Sequence, residues 1–155
     1  MSTEAPASTT SFFSLSFAGL RIPFAARQQA LGPDHPDTLI TWFSIAQEMA
    51  ACGDHAGAEA EYRGMLPDLR RRLGPDHPDT LATRFSIAQE MAARGDHAAA
   101  EDEFRAVLPH LERRLGLDHP VTLTLWFSIA REMAERGDQA GAAKEFRDML
   151  PYLSR

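Results

Sequence analysis

The chain has 155 residues and a formal net charge of −6, from 16 Lys+Arg against 22 Asp+Glu, which excludes the basic footprint expected of a protein that binds nucleic acid or an anionic membrane. Hydrophobic content of 44% with 25% charged residues lies in the usual globular range and excludes wholesale disorder. A single cysteine excludes an internal disulfide and fits a reducing, cytoplasmic setting, and no apolar run approaches the roughly 18 residues of a membrane span.

Residues 1–11 are rich in Ser, Thr and Pro and are predicted to form a disordered tail. They carry Glu4 and no basic residue, so the start does not read as a signal peptide. Residues 12–30 begin with a dense apolar patch (Phe12, Phe13, Leu15, Phe17, Leu20, Ile22 and Phe24) interrupted by Pro23. Ala25 to Ala30 then read as the end of a helix leading into Leu31. The segment 12–30 is expected to cap the open edge of the unit that begins at Leu31. The alternative is that residues 12–24 are an autoinhibitory segment lying in a groove of the same chain or of a partner.

From Leu31 the sequence repeats. LGPDHPDTL begins at Leu31 and at Leu73, and LGLDHPVTL at Leu115, a period of 42 residues. Units 31–72 and 73–114 agree at 32 of 42 positions, and units 73–114 and 115–155 at 26 of 41. The chain therefore divides into a leader of 30 residues and units of 42, 42 and 41 residues, the pattern of a repeat architecture. Formal charge divides as +1 on residues 1–30 and −3, −3 and −1 on the three units.

Each unit reads as two helices, and the middle unit serves as the example. Pro78 suits the first helical position, where its missing N–H costs nothing, and Asp79 suits the first turn. Leu81, Phe85, Ala88, Met91 and Ala92 recur at helical spacing. Gly95 is placed to end this helix in a left-handed conformation, and Asp96 to cap the next. Ala100, Phe104, Val107, Leu108, Leu111 and Leu115 form the second apolar stripe, closed by Gly116. A linker of about two residues makes the two helices antiparallel neighbours. Neither buries its stripe alone, and stacking the pairs does. Pro67, Pro109 and Pro151 fall inside the second stripe. Because the stripe continues in phase through Leu69 and Leu73, the spacing predicts a kinked but unbroken helix rather than a fresh start. No segment alternates with the period of a strand, so the fold class is all-α: an α-solenoid of three helix-turn-helix repeats with an N-terminal capping segment.

These residues resemble the tetratricopeptide repeat family, in its long kinesin-light-chain-like form with the LGPDHPDT linker and a 42-residue period. The family's first-helix Trp is matched by Trp42 and Trp126, with Arg84 in the middle unit. Its small contact positions are matched by Ala46, Ala88 and Ala130 and by Ala58, Ala100 and Ala142, and its second-helix aromatic by Tyr62, Phe104 and Phe146. The resemblance implies a concave groove, lined by the first helix of each pair, that holds a peptide. The positions facing it would be Phe43, Ser44, Gln47, Phe85, Ser86, Gln89, Phe127, Ser128 and Arg131. Rings there would bury apolar side chains and amides would pair with extended backbone. The other reading of the Phe ladder is that it completes the core. The basic and Asn residues of family members that clamp a terminal carboxylate are missing where Phe43 and Ser44 stand.

Other repeated residues read as structural. His35, His77 and His119 recur once per unit, so stacking holds them roughly 10 Å or more apart, too far to share a metal ion; they are expected to pack the inter-repeat turn. His55 and His97 give way to Gln139 in the third unit. Two ladders, Glu48, Glu90, Glu132 and Arg63, Arg105, Arg147, are expected to form one ion pair within each repeat or to be solvated faces. Threefold copying argues against a catalytic acid pair, which needs two carboxyls in different surroundings. Cys52 lacks a base and an orienting group. No HExxH, GxSxG, GxxxxGK(S/T) or GxGxxG is present.

Arginine makes up all the basic residues but Lys144, which together with abundant Ala suggests a high-GC bacterial coding sequence. The expected function is a non-enzymatic, cofactor-free scaffold whose partner is a protein or peptide, with no nucleic acid and no membrane. The alternatives are a homo-oligomeric assembly protein using exposed solenoid ends, since Phe146, Met149, Leu150 and Leu153 face an uncovered edge, or a sensor of a signalling peptide or small molecule.

Overall fold

The structure is a computed structural model that describes residues 29, 32 and 36–154. The expected tail at 1–11, the cap or autoinhibitory segment within 12–30 (residue 29 aside) and His35 lie outside the described residues. Six helices run in order: α1 (Pro36–Ala51), α2 (His55–Leu73), α3 (Pro78–Ala93), α4 (His97–Leu115), α5 (Pro120–Glu135) and α6 (Gln139–Leu153). Each packs on the next in sequence, and among the described residues there is no strand. The three antiparallel pairs stack as a solenoid, and no helix is long and apolar enough to cross a membrane among the described residues.

The ends of the helices follow from the repeated turn residues. In the Asp-His-Pro linkers before α3 and α5 the histidine is the cap: His77 Nδ1 accepts the Asp79 backbone N–H at 3.1 Å, and His119 Nδ1 that of Val121 at 3.2 Å. The proline after it occupies the first helical turn. Between the two helices of a repeat the chain closes a Schellman turn. Asp96 N–H reaches Met91 O at 3.0 Å and Gly95 N–H reaches Ala92 O at 2.9 Å. Gly95 has φ +86°, a conformation that a Cβ would strain. Asp54, Asp96 and Asp138 then cap α2, α4 and α6 through Gly57, Ala99 and Gly141.

Pro67, Pro109 and Pro151 lie inside α2, α4 and α6, and all three helices run through them. Met65 and Leu69 flank Pro67 and are both buried, so the buried face keeps its phase. The missing N–H is at an exposed position.

The core is a continuous row. Ala46, Ala88, Ala130, Ala58 and Ala100 are fully buried, and their small side chains let helix axes approach closely. Beside them one aromatic pair ties each repeat: Phe43 on Tyr62 at 5.2 Å, Phe85 on Phe104 at 5.2 Å and Phe127 on Phe146 at 5.3 Å, all tilted. Such pairs add about 0.5–1.5 kcal/mol beyond the area they bury.

The two charged ladders pair differently: Arg63 and Arg105 form the expected ion pair within their own repeats, with Glu59 and Glu101, whereas Glu90 and Glu132 of the Glu ladder join neighbouring repeats. Glu90 Oε2 takes His55 Nδ1 at 2.6 Å, and Glu132 Oε2 takes His97 Nδ1 at 2.6 Å. Arg94 pairs with Glu59, and Arg136 Nε with Glu101 Oε2 at 2.6 Å. Arg63 and Arg105 brace the same carboxylates from one turn along, each at 2.9 Å. The reason is geometric: the first helix of a repeat packs on the second helix of the repeat before it as closely as on its own partner. Glu59, Glu90, Glu101 and Glu132 are buried, and each is compensated by a hydrogen-bonded cation or imidazole, as a buried carboxylate requires.

Candidate functional site

The first-helix face carries two equivalent pockets. The first, of about 480 Å³, lies at the junction of the first and second repeats. It is lined by Leu39, Ile40, Phe43, Ser44 and Gln47 of α1, Met65, Leu69, Arg72 and Leu73 of α2, His77, and Asp79, Ala82 and Thr83 of α3. The second, of about 470 Å³, lies one repeat on, between α3, the end of α4 and α5. It is lined by Pro78, Leu81, Ala82, Phe85, Ser86, Leu111, Arg114, Leu115, Pro120, Val121 and Thr124. Phe43 and Phe85, Ser44 and Ser86, Leu69 and Leu111, Arg72 and Arg114 are pairs one period apart.

Five of the nine residues expected to face a groove therefore line these pockets: Phe43, Ser44, Gln47, Phe85 and Ser86. Gln89 is exposed on α3 beyond them. Phe127 is 49% exposed on α5. Ser128 is buried, and its Oγ donates to Thr124 O at 3.0 Å. Arg131 donates to Glu132 Oε1 from Nη2 at 3.0 Å and from Nε at 3.2 Å. Phe43 and Phe85 each turn one side to the core aromatic behind it and remain half-buried, so the ladder serves core and pocket together. Ser44 spends its donor on Ile40 O and Ser86 on Ala82 O, both at 3.0 Å, and the Ser86 hydroxyl is also engaged by Tyr62.

Sequence reasoning missed the far wall. Leu69, Leu73, Leu111 and Leu115 read as core stripe, yet they also floor the pockets, because the second helix runs past the end of the first. Ala82 lines both pockets, and its small size at a surface position was the available signal. Arg72 and Arg114 lie in the last turns of α2 and α4, where cations favour the helix dipole. Arg114 Nη1 donates to Asp76 O at 3.1 Å, and Arg72 is exposed at the rim.

Two nearby groups have shifted titration. Burial pushes the Tyr62 phenol above its ordinary 10.0, opposed by a hydrogen bond to Ser86 of the next repeat and reinforced by Glu90. In the linker behind the second pocket, the hydrogen bond from His110 holds the Asp76 carboxyl below its ordinary 3.8, with Arg113 and Arg114 adding to it. The lining chemistry is apolar wall, small acceptor and guanidinium rim.

Residues 44–79, from within α1 through α2 to the start of α3, match the tetratricopeptide repeat family. Among solved structures the chain is similar to a Podosopora anserina protein assigned to kinesin light chain, with nearly identical TPR-like repeats, and to a variant of that protein. Each is 20% identical with a TM-score of 0.76, over 90% of this chain and 66% of the other. The chain thus spans just under two thirds of those structures. A search of curated proteins finds no match.

Proposed function

We propose that this chain, whose residues 44–79 match the tetratricopeptide repeat family, is a non-enzymatic protein-interaction module that holds a peptide segment of a partner along its first-helix face. The observation that carries the reading is the recurrence of one pocket, with the same Phe, Ser, Leu and Arg, at both repeat junctions. Apolar side chains of the ligand enter the pockets beside Phe43 and Phe85. Its backbone meets Ser44, Gln47, Ser86 and Gln89, and the track continues past Phe127 and Arg131, with Ser128 buried beneath it. Arg72 and Arg114 at the rims favour carboxylates next to the apolar anchors. The binding units are repeats 31–72, 73–114 and 115–155. The reading invokes no cofactor, nucleic acid or membrane. We infer a bacterial, cytoplasmic setting from the arginine-rich composition and the single cysteine.

Ala82 supplies the test, being exposed and common to both pockets. Ala82→Arg fills both without touching the core. Peptides selected from a random display library on the wild-type chain should bind the variant at least about tenfold more weakly, ~1.4 kcal/mol, while the thermal melt stays unchanged. Equal binding by the variant, or no peptide selected at all, overturns the reading.

A further inference from the structure

The two pockets share Phe, Ser, Leu and Arg one period apart but differ on one wall. Asp79, in the first turn of α3, lines the first pocket with a side chain 70% exposed. Val121, in the same place on α5, lines the second and is 51% exposed. Leu115, on the rim of the second pocket, and Leu117, which stands in its linker where Pro75 stands before α3, are each 36% exposed. The guanidinium sides match, so the contrast lies between a carboxylate at one junction and an apolar surface at the next.

The Asp79 carboxylate is open to a ligand cation. Among the described residues its nearest basic partner is His77 Nδ1 at 3.9 Å, and that nitrogen already accepts the Asp79 backbone N–H at 3.1 Å. Helix energetics alone would place a carboxylate at both junctions, because the first turn favours one. Val121 forgoes that and leaves an apolar side chain in water. Such a departure from local preference, on the rim of a pocket, marks a surface shaped by what it contacts. A ligand cation gains an ion pair against Asp79. The same cation laid on Leu115 and Val121 loses water without a partner.

We propose that the ligand is a peptide with two unlike anchors: an apolar residue with a Lys or Arg beside it at the first junction, where the cation meets Asp79, and an apolar residue with a second apolar residue beside it at the next, against Val121 and Leu115. Asp79 and Val121 are the residues that set this order. They fix which anchor enters which pocket, and a peptide shifted by one repeat puts its cation on the apolar rim and is rejected. This pattern rests on the peptide-binding reading and adds to it the charge order and register of the ligand.

Peptides selected from a random display library on the full wild-type chain, then synthesised and titrated by fluorescence anisotropy, test it. They should carry a Lys or Arg beside one apolar anchor and an apolar residue beside the other. Replacing that Lys or Arg by Ala should weaken binding to the wild type about tenfold and make no difference to binding by Asp79→Val. Placing a Lys beside the other anchor should weaken binding to the wild type, and Val121→Asp should restore it, the crossed pattern of a double-mutant cycle. Both exchanges lie at exposed positions, and Asp at 121 is what a helix start favours, so circular dichroism melts should show folded chains. Peptides that are lost on Ala82→Arg yet respond the same with and without Asp79 and Val121 overturn the charge order and leave the groove standing. Peptides indifferent to Ala82→Arg, or no peptide selected, overturn both.

Discussion

His97 Nδ1 lies 2.6 Å from Glu132 Oε2 across the junction of the second and third repeats, and Glu132 has a side chain only 1% exposed. The carboxylate also takes Arg131 at 3.0 Å. A charge so far out of water holds the junction only while both partners are present.

Glu132→Ala is therefore expected to destabilise the chain by about 2–4 kcal/mol, since it strands the imidazole and opens space at a buried position. Glu132→Gln keeps a hydrogen bond to His97 and should lose less, about 1–2 kcal/mol. Urea unfolding followed by circular dichroism measures both.

The middle repeat carries Arg84 where the others carry tryptophan. Trp42 Nε1 donates to Glu61 and Trp126 Nε1 to Glu145, each at 2.6 Å, whereas Arg84 reaches Glu103 only at 3.8 Å. Arg84→Trp should restore the ring and its short bond and stabilise by about 1 kcal/mol. A rise in melting temperature with unchanged helicity checks it.

Asp76 gives a pH signature in acid. The hydrogen bond from His110 lowers its folded-state titration below the ordinary 3.8, so the folded state favours the charged carboxylate. That stabilisation is present above pH 3.8 and is lost as pH falls through the lower folded value. The stability gap between wild type and Asp76→Asn, measured by urea unfolding, should be present at neutral pH and close in stronger acid. His110→Ala should remove most of it.

Gly57 and Gly141 lie against their capping aspartates and against Met49 and Met133. The middle repeat has Ala99 at this place, and its cap is longer, 3.4 Å against 2.9 Å. Gly57→Ala should loosen the α2 cap in the same way, offsetting the gain in helix propensity for a net change within about 0.5 kcal/mol. Ala99→Gly should shorten the middle cap, and slower amide exchange at residue 99 is the readout.

The helices were legible because their punctuation is local. Pro78, Gly95 and Asp96 act on residues within a turn of themselves, so the sequence around them carries the whole signal. The ion pairs between repeats were not legible for the opposite reason. A ladder such as Glu48, Glu90, Glu132 repeats with the unit, and a partner in the same repeat or in the preceding one leaves the same pattern in the sequence. Which helix turns its charged face where is settled by packing, and only packing set Glu90 on His55. The pockets were half legible. Phe43 and Phe85 followed from the family resemblance, but Leu69 and Leu111 looked like core because one buried face of a long helix serves two neighbours.

The junction pairs have a consequence for how the chain yields. His55 and Glu90, Arg94 and Glu59, His97 and Glu132 and Arg136 and Glu101 are all 35 residues apart in sequence, and each spans one junction only. Among the described residues the chain therefore has no clasp linking its first pair of helices to its last. Loop closure during folding is short throughout these pairs, and structure can begin in any repeat and spread outward. Under a pull applied to its two ends such a chain unzips pair by pair, each junction failing at its own force, rather than releasing in one event.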